Sequence, residues 1–350
     1  MVLFVGVDTH KRYSKVTVID ENDNKVLQTR ISNTKEDIRD LFSRIGSNNK
    51  IAIEAGYNWM YMYELLEHYG EVVLVHPRKT RIIAEAKIKT DNLDSEWLAK
   101  LLRWDMVSKS YIPDKETRRL RDMCRHRITL VRLRTQIKNK VQSLLSKRGI
   151  FHEYSDLFGK AGMEFLRNLE LSEIDKHILN NNLDILNVIN KQIEEVEREI
   201  ANSAINDERA KLLMTRPGID YFSAMLLVAE IGDINRFLSK HKLASWAGLV
   251  PSVRQSGHTI HYGHITKQGN KYVRWVLIQC ANVAVRHDEH LREFYERIRK
   301  KKGHKIAIVA TARKMLVEIY GMLKNNREYF YMEKESYNKK LKRAKRIANK

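Results

Sequence analysis

The chain has 350 residues, with 64 lysines and arginines against 43 aspartates and glutamates, for a formal net charge of +21 and an isoelectric point near 9.8. A surplus of that size asks for a polyanionic partner, nucleic acid ahead of a membrane surface, and 43% hydrophobic residues over this length supply more than one buried core. Composition excludes a disulfide scaffold and a thiolate zinc site, because the two cysteines, Cys124 and Cys280, stand alone in helical stretches.

Residues 1–110 open with three short β-type runs, VLFVGVD, SKVTVID and NKVLQTRIS, the last two joined by the turn-rich ENDN. TKEDIRDLFSRI then reads as a helix with Thr34 as its N-cap. KIAIEA is a strand, NWMYMYELLEHY a helix, and EVVLVHP a strand ended by Pro77. Three antiparallel strands followed by alternating helix and strand predict an α/β domain with a mixed sheet, in the order of an RNase H-like nuclease domain.

Residues 111–208 carry two long helical patterns, from about Thr117 to Lys147 and from about Glu173 to Ala204. In the second, Leu186, Ile189, Ile193, Val196 and Ile200 recur at steps of three and four, a coiled-coil seam that suits either a hairpin within one subunit or pairing between subunits. Residues 110–150 hold a net charge of +9, so Arg118, Arg119, Arg125, Arg132, Arg134 and Lys138 are candidate phosphate contacts. A solvated helix face is the plainer alternative.

Residues 209–330 read as mostly helical. The Pro217-Gly218 turn before a helix at about Tyr221 is helix-hairpin-helix-like, and Gly218 is a candidate phosphate contact through its backbone. The glycine-rich stretch GLVPSVRQSGHTIHYGHITKQGNKYVR follows, with Arg254, Lys267, Lys271 and Arg274 as basic candidates. Residues 215–350 have a net charge of +17, and 331–350, with KKLKRAKRIANK, are expected to be a mobile basic tail. The longest apolar runs, such as SAMLLVAEIG, are too short for a membrane span. MVLFVGVDTH lacks the marks of a signal peptide, so a cytoplasmic, nucleoid-associated protein is expected.

Asp8 ends the first strand and Glu54 the fourth; if those strands are neighbours, their carboxylates converge. Asp91 and Asp94 in KTDNLDSEWLA are three apart and share a face of a helix. Four hard oxygen donors suit Mg²⁺, or Mn²⁺ in its place. Taken singly, Asp8 and Asp91 could be caps and Asp94 a solvated residue.

GVDTHK, IEAG and KTDNLDSEWLA, followed far downstream by RPGI, AGLVPSVRQSG and GHITKQGNKYVR, together resemble the DEDD transposases of the IS-one-ten type. These are bacterial and archaeal insertion-sequence recombinases related to the Piv-type DNA invertases. The resemblance runs from about residue 3 to about residue 320. It implies a RuvC-like N-terminal domain with Asp8, Glu54, Asp91 and Asp94 as metal ligands, and a coiled-coil segment used in subunit association. It also implies a transposase domain whose Ser256 is the nucleophile. Double-stranded donor and target DNA, a structured guide (bridge) RNA, and dimers that pair into a tetramer on DNA come with it. Ser95 departs from the small apolar residue common at that position and is not expected to disturb the metal set. A RuvC-like nuclease that uses water without a covalent intermediate, and a non-catalytic basic nucleic-acid-binding protein, are the alternatives.

Overall fold

In the computed structural model the described residues are 2–46, 48–76, 91–256 and 259–349, and they divide into two units, Met1–Ile112 and Pro113–Lys350. Pro77 lies outside them. In the first unit, β1 (Leu3–Thr9) pairs antiparallel with β2 (Tyr13–Ile19), and β2 antiparallel with β3 (Lys25–Ser32). On the other side of β1, β4 (Asn49–Glu54) runs parallel to it, and β5 (Gly70–Val75) parallel to β4. The sheet order is β3-β2-β1-β4-β5, the RNase H-like arrangement that the strand and helix pattern predicts.

The local chemistry is visible at each corner. The Asp20 carboxylate accepts from the amides of Asn22 and Asn24, both at 2.8 Å, which closes the ENDN turn. Thr34 caps α1 (Lys35–Ile45) by accepting from the Asp37 amide at 3.2 Å. Alternation along the strands sorts the core into two layers. Val5, Val7, Val16, Ile51 and Ile53 pack with Ile38 and Phe42 of α1 and with Met62 and Leu66 of α2 (Trp59–Leu66). Phe4, Ala52, Val73 and Val75 face the other way, against Leu98, Ala99 and Leu102 of α3 (Asp91–Arg103).

The second unit begins with α4 (Lys115–Lys147), capped by Asp114, whose carboxylate accepts from the Thr117 amide at 2.8 Å. After α5 (Lys160–Asn168) comes α6 (Glu173–Asn206), the second long helix. Leu186, Ile189, Ile193 and Ile200 are buried, and Ile189 and Ile193 pack on Leu130 of α4 with Val131, Ile137 and Val196 around them. The seam is therefore packed within one chain as an antiparallel helical hairpin, the first of the two arrangements that its spacing suits.

The expected boundary at residue 208 is not a break in packing. Leu120, Cys124 and Ile128 of α4 and Ile200, Ala201 and Ala204 of α6 share one core with α7 (Glu208–Met214), α8 (Tyr221–Ile231), α10 (Lys271–His287) and α11 (Glu289–Asn325). Between α8 and α10 lie α9 (Lys240–Trp246) and the hairpin of β6 (Pro251–Ser256) and β7 (Thr259–Ile265). The expected mobile tail is instead α12 (Lys334–Ala348), with Ala344 fully buried and Tyr337 and Ile347 packed on the same core. Lys340 donates to the carbonyls of Met214 and Arg216, each at 2.7 Å, which ties α12 to the end of α7. Among the described residues no helix is long and apolar enough to cross a membrane.

Candidate functional site

Asp8 sits at the carboxyl end of β1, and Glu54 is the last residue of β4. The parallel register places Val7 opposite Ile53, so Asp8 and Glu54 occupy the next step of the same ladder. Both belong to the sheet face that carries Phe4, Gly6 and Ala52, the face covered by α3. Asp8 is 8% exposed, and its Oδ2 lies 3.2 Å from His10 Nε2, a neighbour that the sequence motifs did not single out.

The direction of α3 follows from its contacts. Its Ser95 carbonyl and Ala99 amide press on Gly6, where no side chain fits between helix and strand. At its far end Arg103 Nη1 donates to the Glu21 carbonyl at 3.1 Å, in the turn between β2 and β3. The helix thus runs opposite to β1, and its first turns, with Asp94, lie at the Asp8 end. Ser95 is buried with its Oγ 2.8 Å from Thr17 Oγ1, so this hydroxyl is satisfied by the sheet.

Asp91 opens α3, but its side chain lies outside the described residues. Among the described residues no group of three or more His, Cys, Asp or Glu side chains stands close enough to hold a metal ion. The donor chemistry of Asp8, Glu54 and Asp94 nonetheless fits a hard divalent cation. Fold and register bring these three toward one end of one sheet face.

Ser256 is the last residue of β6 and pairs with Thr259, at the end of the hairpin. Its side chain, that of Arg254, and residues 257 and 258 lie outside the described residues. The base of the hairpin is held backbone to backbone. The Thr266 amide donates to the Val250 carbonyl and the Asn270 amide to the Trp246 carbonyl, both at 3.0 Å. Gly248 (φ 68°) and Gly269 (φ 131°) permit this approach, since a Cβ on Gly269 would collide with the Trp246 carbonyl.

A buried carboxylate anchors that base. Glu230, at the end of α8 and 0% exposed, accepts from Asn270 Nδ2 at 2.6 Å and from Arg125 Nε and Nη2 at 2.7 and 2.9 Å. Asn270 Oδ1 in turn accepts from the amides of Tyr272 and Val273 and caps α10. Glu230 lies in no motif, Asn270 lies within GHITKQGNKYVR without a role of its own there, and Arg125 lies over a hundred residues before them, so their joint was not legible in the sequence.

The basic candidates divide into two sets. Arg119 and Arg132 on α4, and Lys267 and Lys271 beside the hairpin, are exposed. Arg134 and Lys138 are half-buried, with Lys138 Nζ 4.6 Å from the centroid of the Phe158 ring. Arg274 is half-buried and donates to the Ala247 carbonyl at 3.1 Å. Arg118 is 5% exposed, and Arg125 is half-buried and paired with Glu230. Gly218 (φ 82°) is pressed on the Cys280 carbonyl. The N-terminus of α8 beside it already holds the carboxylate of Asp220, which accepts from the Tyr221 amide at 2.8 Å and pairs with Arg343 at 3.0 Å. That carboxylate and its ion pair stand at the helix end that the helix-hairpin-helix reading offers to a phosphate.

One basic element lay unremarked in the sequence. Gly303 (φ 76°) breaks α11, and the exposed residues Arg297, Arg299, Lys300, Lys301, Lys302 and Lys305 surround the break. The run RIRKKKGHK was the available signal. Both cysteines are buried, and burial pushes the Cys124 thiol up to about 12 and that of Cys280 up to about 11, so neither is a nucleophile at neutral pH.

Comparison with known proteins adds two family matches. Residues 5–149 match a transposase family of the DEDD type, and residues 210–296 match the transposase IS116/IS110/IS902 family. The chain is 26% identical over 290 residues to the transposase for insertion sequence element IS1328 of Yersinia enterocolitica, covering 83% of this chain and 86% of that one. It is 25% identical over 345 residues to the transposase for insertion sequence element IS1111A of Coxiella burnetii, covering 94% and 91%. Against the transposase for IS1533 of Leptospira borgpetersenii, identity is 26% over 242 residues, covering 66% and 70%.

Proposed function

The chain belongs to the IS110/IS116 superfamily of DEDD transposases, whose activity is on DNA, and on that premise we propose that it cuts and rejoins donor and target strands with Ser256 as nucleophile. What supports this most is the placement of Asp8 and Glu54 at adjacent carboxyl ends of parallel strands, with α3 delivering Asp94 to the same end. Asp8, Glu54, Asp91 and Asp94 would hold Mg²⁺, which supplies activation of a hydroxyl and neutralisation of charge at a phosphate.

The residues of the chain do the rest. The Ser256 oxygen attacks a backbone phosphorus; an O–P bond forms to serine, one phosphodiester P–O bond breaks, and the serine proton ends on the departing strand end. The phosphoserine link conserves the bond energy for rejoining. The hairpin base, fixed by Gly248, Gly269 and Asn270, limits where the serine can sit. Exposed Lys267 and Lys271 supply positive charge next to the hairpin. A structured guide RNA that pairs with both DNAs is the second polyanion of this reading, and the exposed basic residues of α4 and α11 are where it and DNA would be held.

The test is a pair of variants on a labelled donor–target substrate with Mg²⁺. Ser256→Ala removes the covalent protein–DNA adduct and recombination while leaving binding intact, and Asp8→Asn removes both activities. Undiminished strand cleavage by Ser256→Ala would mean hydrolysis by water, and full activity of Asp8→Asn would leave only a binding protein. A discrete RNA copurifying at low salt supports the guide; its absence there counts against it.

A further inference from the structure

The loop between α11 and α12 displays aromatic surface for which folding gives no reason. Phe330 is 88% exposed and Tyr331 48% exposed, at the mouth of an open cavity of about 410 Å³. The ring of His290 stacks on Tyr331 at 3.8 Å between centroids, and Phe330 meets Tyr331 edge-on at 4.9 Å. Lys314 and Arg327 also line the cavity, together with the polar groups of Asn325 and Glu328.

The platform beneath is rigid. Tyr329 is 9% exposed; its hydroxyl donates to Asp288 Oδ2 at 2.6 Å and its amide donates to Thr215 Oγ1 at 3.1 Å. The guanidinium of Arg216 lies over the Tyr329 ring at 4.3 Å and pairs with Glu318, another lining residue. That pairing gives Glu318 a cation on its inner side, in addition to Lys314 of the lining.

Flat apolar rings open to solvent, two cations within the same cavity, and amide and carboxylate groups that can meet a base edge describe a receptor for a nucleobase with its phosphate. A peptide would need an apolar groove or a strand edge, and the cavity offers neither. Its volume suits one nucleotide and not a duplex. Most of it lies beyond residue 296, where the matched family segment ends. We propose that this pocket captures one unpaired nucleotide of a single-stranded segment, its base stacked on Phe330 or Tyr331 and its phosphate near Lys314 and Arg327. The proposal rests on the reading that the chain handles nucleic acid, and it adds a site for single strands outside the reacting centre.

The experiment uses the full chain and fluorescein-labelled 15-mers of oligo-dT and oligo-U, followed by anisotropy at fixed salt, with a blunt duplex as comparison. Phe330→Ala and Tyr331→Ala should loosen single-strand binding by roughly 5- to 100-fold, Phe330→Trp should restore it, and duplex binding should not change. Because Phe330 is exposed, its variants fold, and a thermal melt checks Tyr331→Ala, whose ring stacks on His290. A strand carrying 5-iodouracil should crosslink, on irradiation, to the peptide containing Phe330 and Tyr331. A larger loss in the DNA arm or in the RNA arm identifies which strand the pocket serves. Wild-type affinity in both alanine variants, equal loss for duplex, or crosslinks mapping wholly elsewhere overturns the pocket and leaves the Ser256 adduct test untouched. If Ser256→Ala keeps its adduct while these arms respond, the recombinase reading fails and the pocket stands.

Discussion

Replacing Gly6 with alanine tests whether the contact between α3 and β1 sets the candidate metal site. A Cβ at this position would stand 2.5 Å from the Ala99 amide nitrogen and 3.1 Å from Leu98 Cβ, and would collide with the Ser95 carbonyl. Two of these are main-chain atoms inside a helix, so no side chain can rotate away. To restore van der Waals contact the helix must retreat by about 1 Å, an overpacking cost of about 1–3 kcal/mol. The same retreat carries Asp94 away from Asp8 and Glu54, and a misplacement of about 1 Å in reacting groups costs on the order of 100-fold in rate. Gly46→Ala is the control. Gly46 has φ 79° and ψ −169°, a region essentially reserved for glycine, and nothing within 4 Å of an added Cβ, so alanine there is strained by about 1–3 kcal/mol without moving α3. Urea unfolding gives the two stability losses, and Mg²⁺-dependent adduct formation at a temperature where both variants are folded gives the activities. Gly6→Ala should fall about 100-fold and Gly46→Ala by no more than a few-fold. Equal activity in the two would refute the idea that α3 positions the acids.

Arg125→Ala should behave as a core substitution, because it strips the bidentate partner from a fully buried Glu230. Arg121 at 3.5 Å and Asn270 remain, so a loss of about 2–3 kcal/mol, below the usual figure for breaking a buried pair, is expected in thermal melts. Arg119→Ala and Arg132→Ala should leave the melting temperature unchanged, and each should lower the slope of log affinity against log salt by about one where its guanidinium meets a phosphate. The opposite pattern would refute this division of the arginines. Lys340 sets a pH window: burial pulls its ammonium from the ordinary 10.5 down to about 8. Between those values the unfolded chain holds more proton than the folded one, so this group's contribution to stability rises with pH, by at most about 3 kcal/mol. The melting-temperature gap between wild type and Lys340→Met should widen in favour of wild type from pH 8 toward pH 10, and a constant gap would refute it.

The sheet order could be read from the sequence because each strand is a separate apolar run with its own turn chemistry, and Asp20 and Thr34 do locally what their residue types suggest. The approach of α3 could not, since it depends on Gly6 meeting Ser95 and Ala99 across nearly ninety positions. Charge counting does not sort the arginines of α4 for a related reason. Arg118, Arg119 and Arg125 look alike in sequence, and only the covered face of the helix separates them. A heptad seam likewise states that a partner exists without naming it, and here the partner is α4 of the same chain. In the tail, dense lysine and arginine hid an apolar stripe of Tyr337, Ala344 and Ile347.

Glu230 poses the sharpest physical question in the second unit. A buried carboxylate is costly to desolvate, and an apolar residue of similar volume would often serve stability as well or better. What an apolar residue could not do is hold Asn270. That one side chain caps α10 through its oxygen and reaches Glu230 through its nitrogen, while its own amide closes the hairpin base on Trp246. Glu230 thereby ties α4, α8, α10 and the hairpin that ends in Ser256 into one rigid joint. Orientation of the hairpin, more than net stability, is the physical reason for a buried charge at this position. It follows that part of the +21 is consumed in building the serine-bearing unit, and that the salt dependence of nucleic-acid binding should track the exposed residues of α4 and α11, not the total.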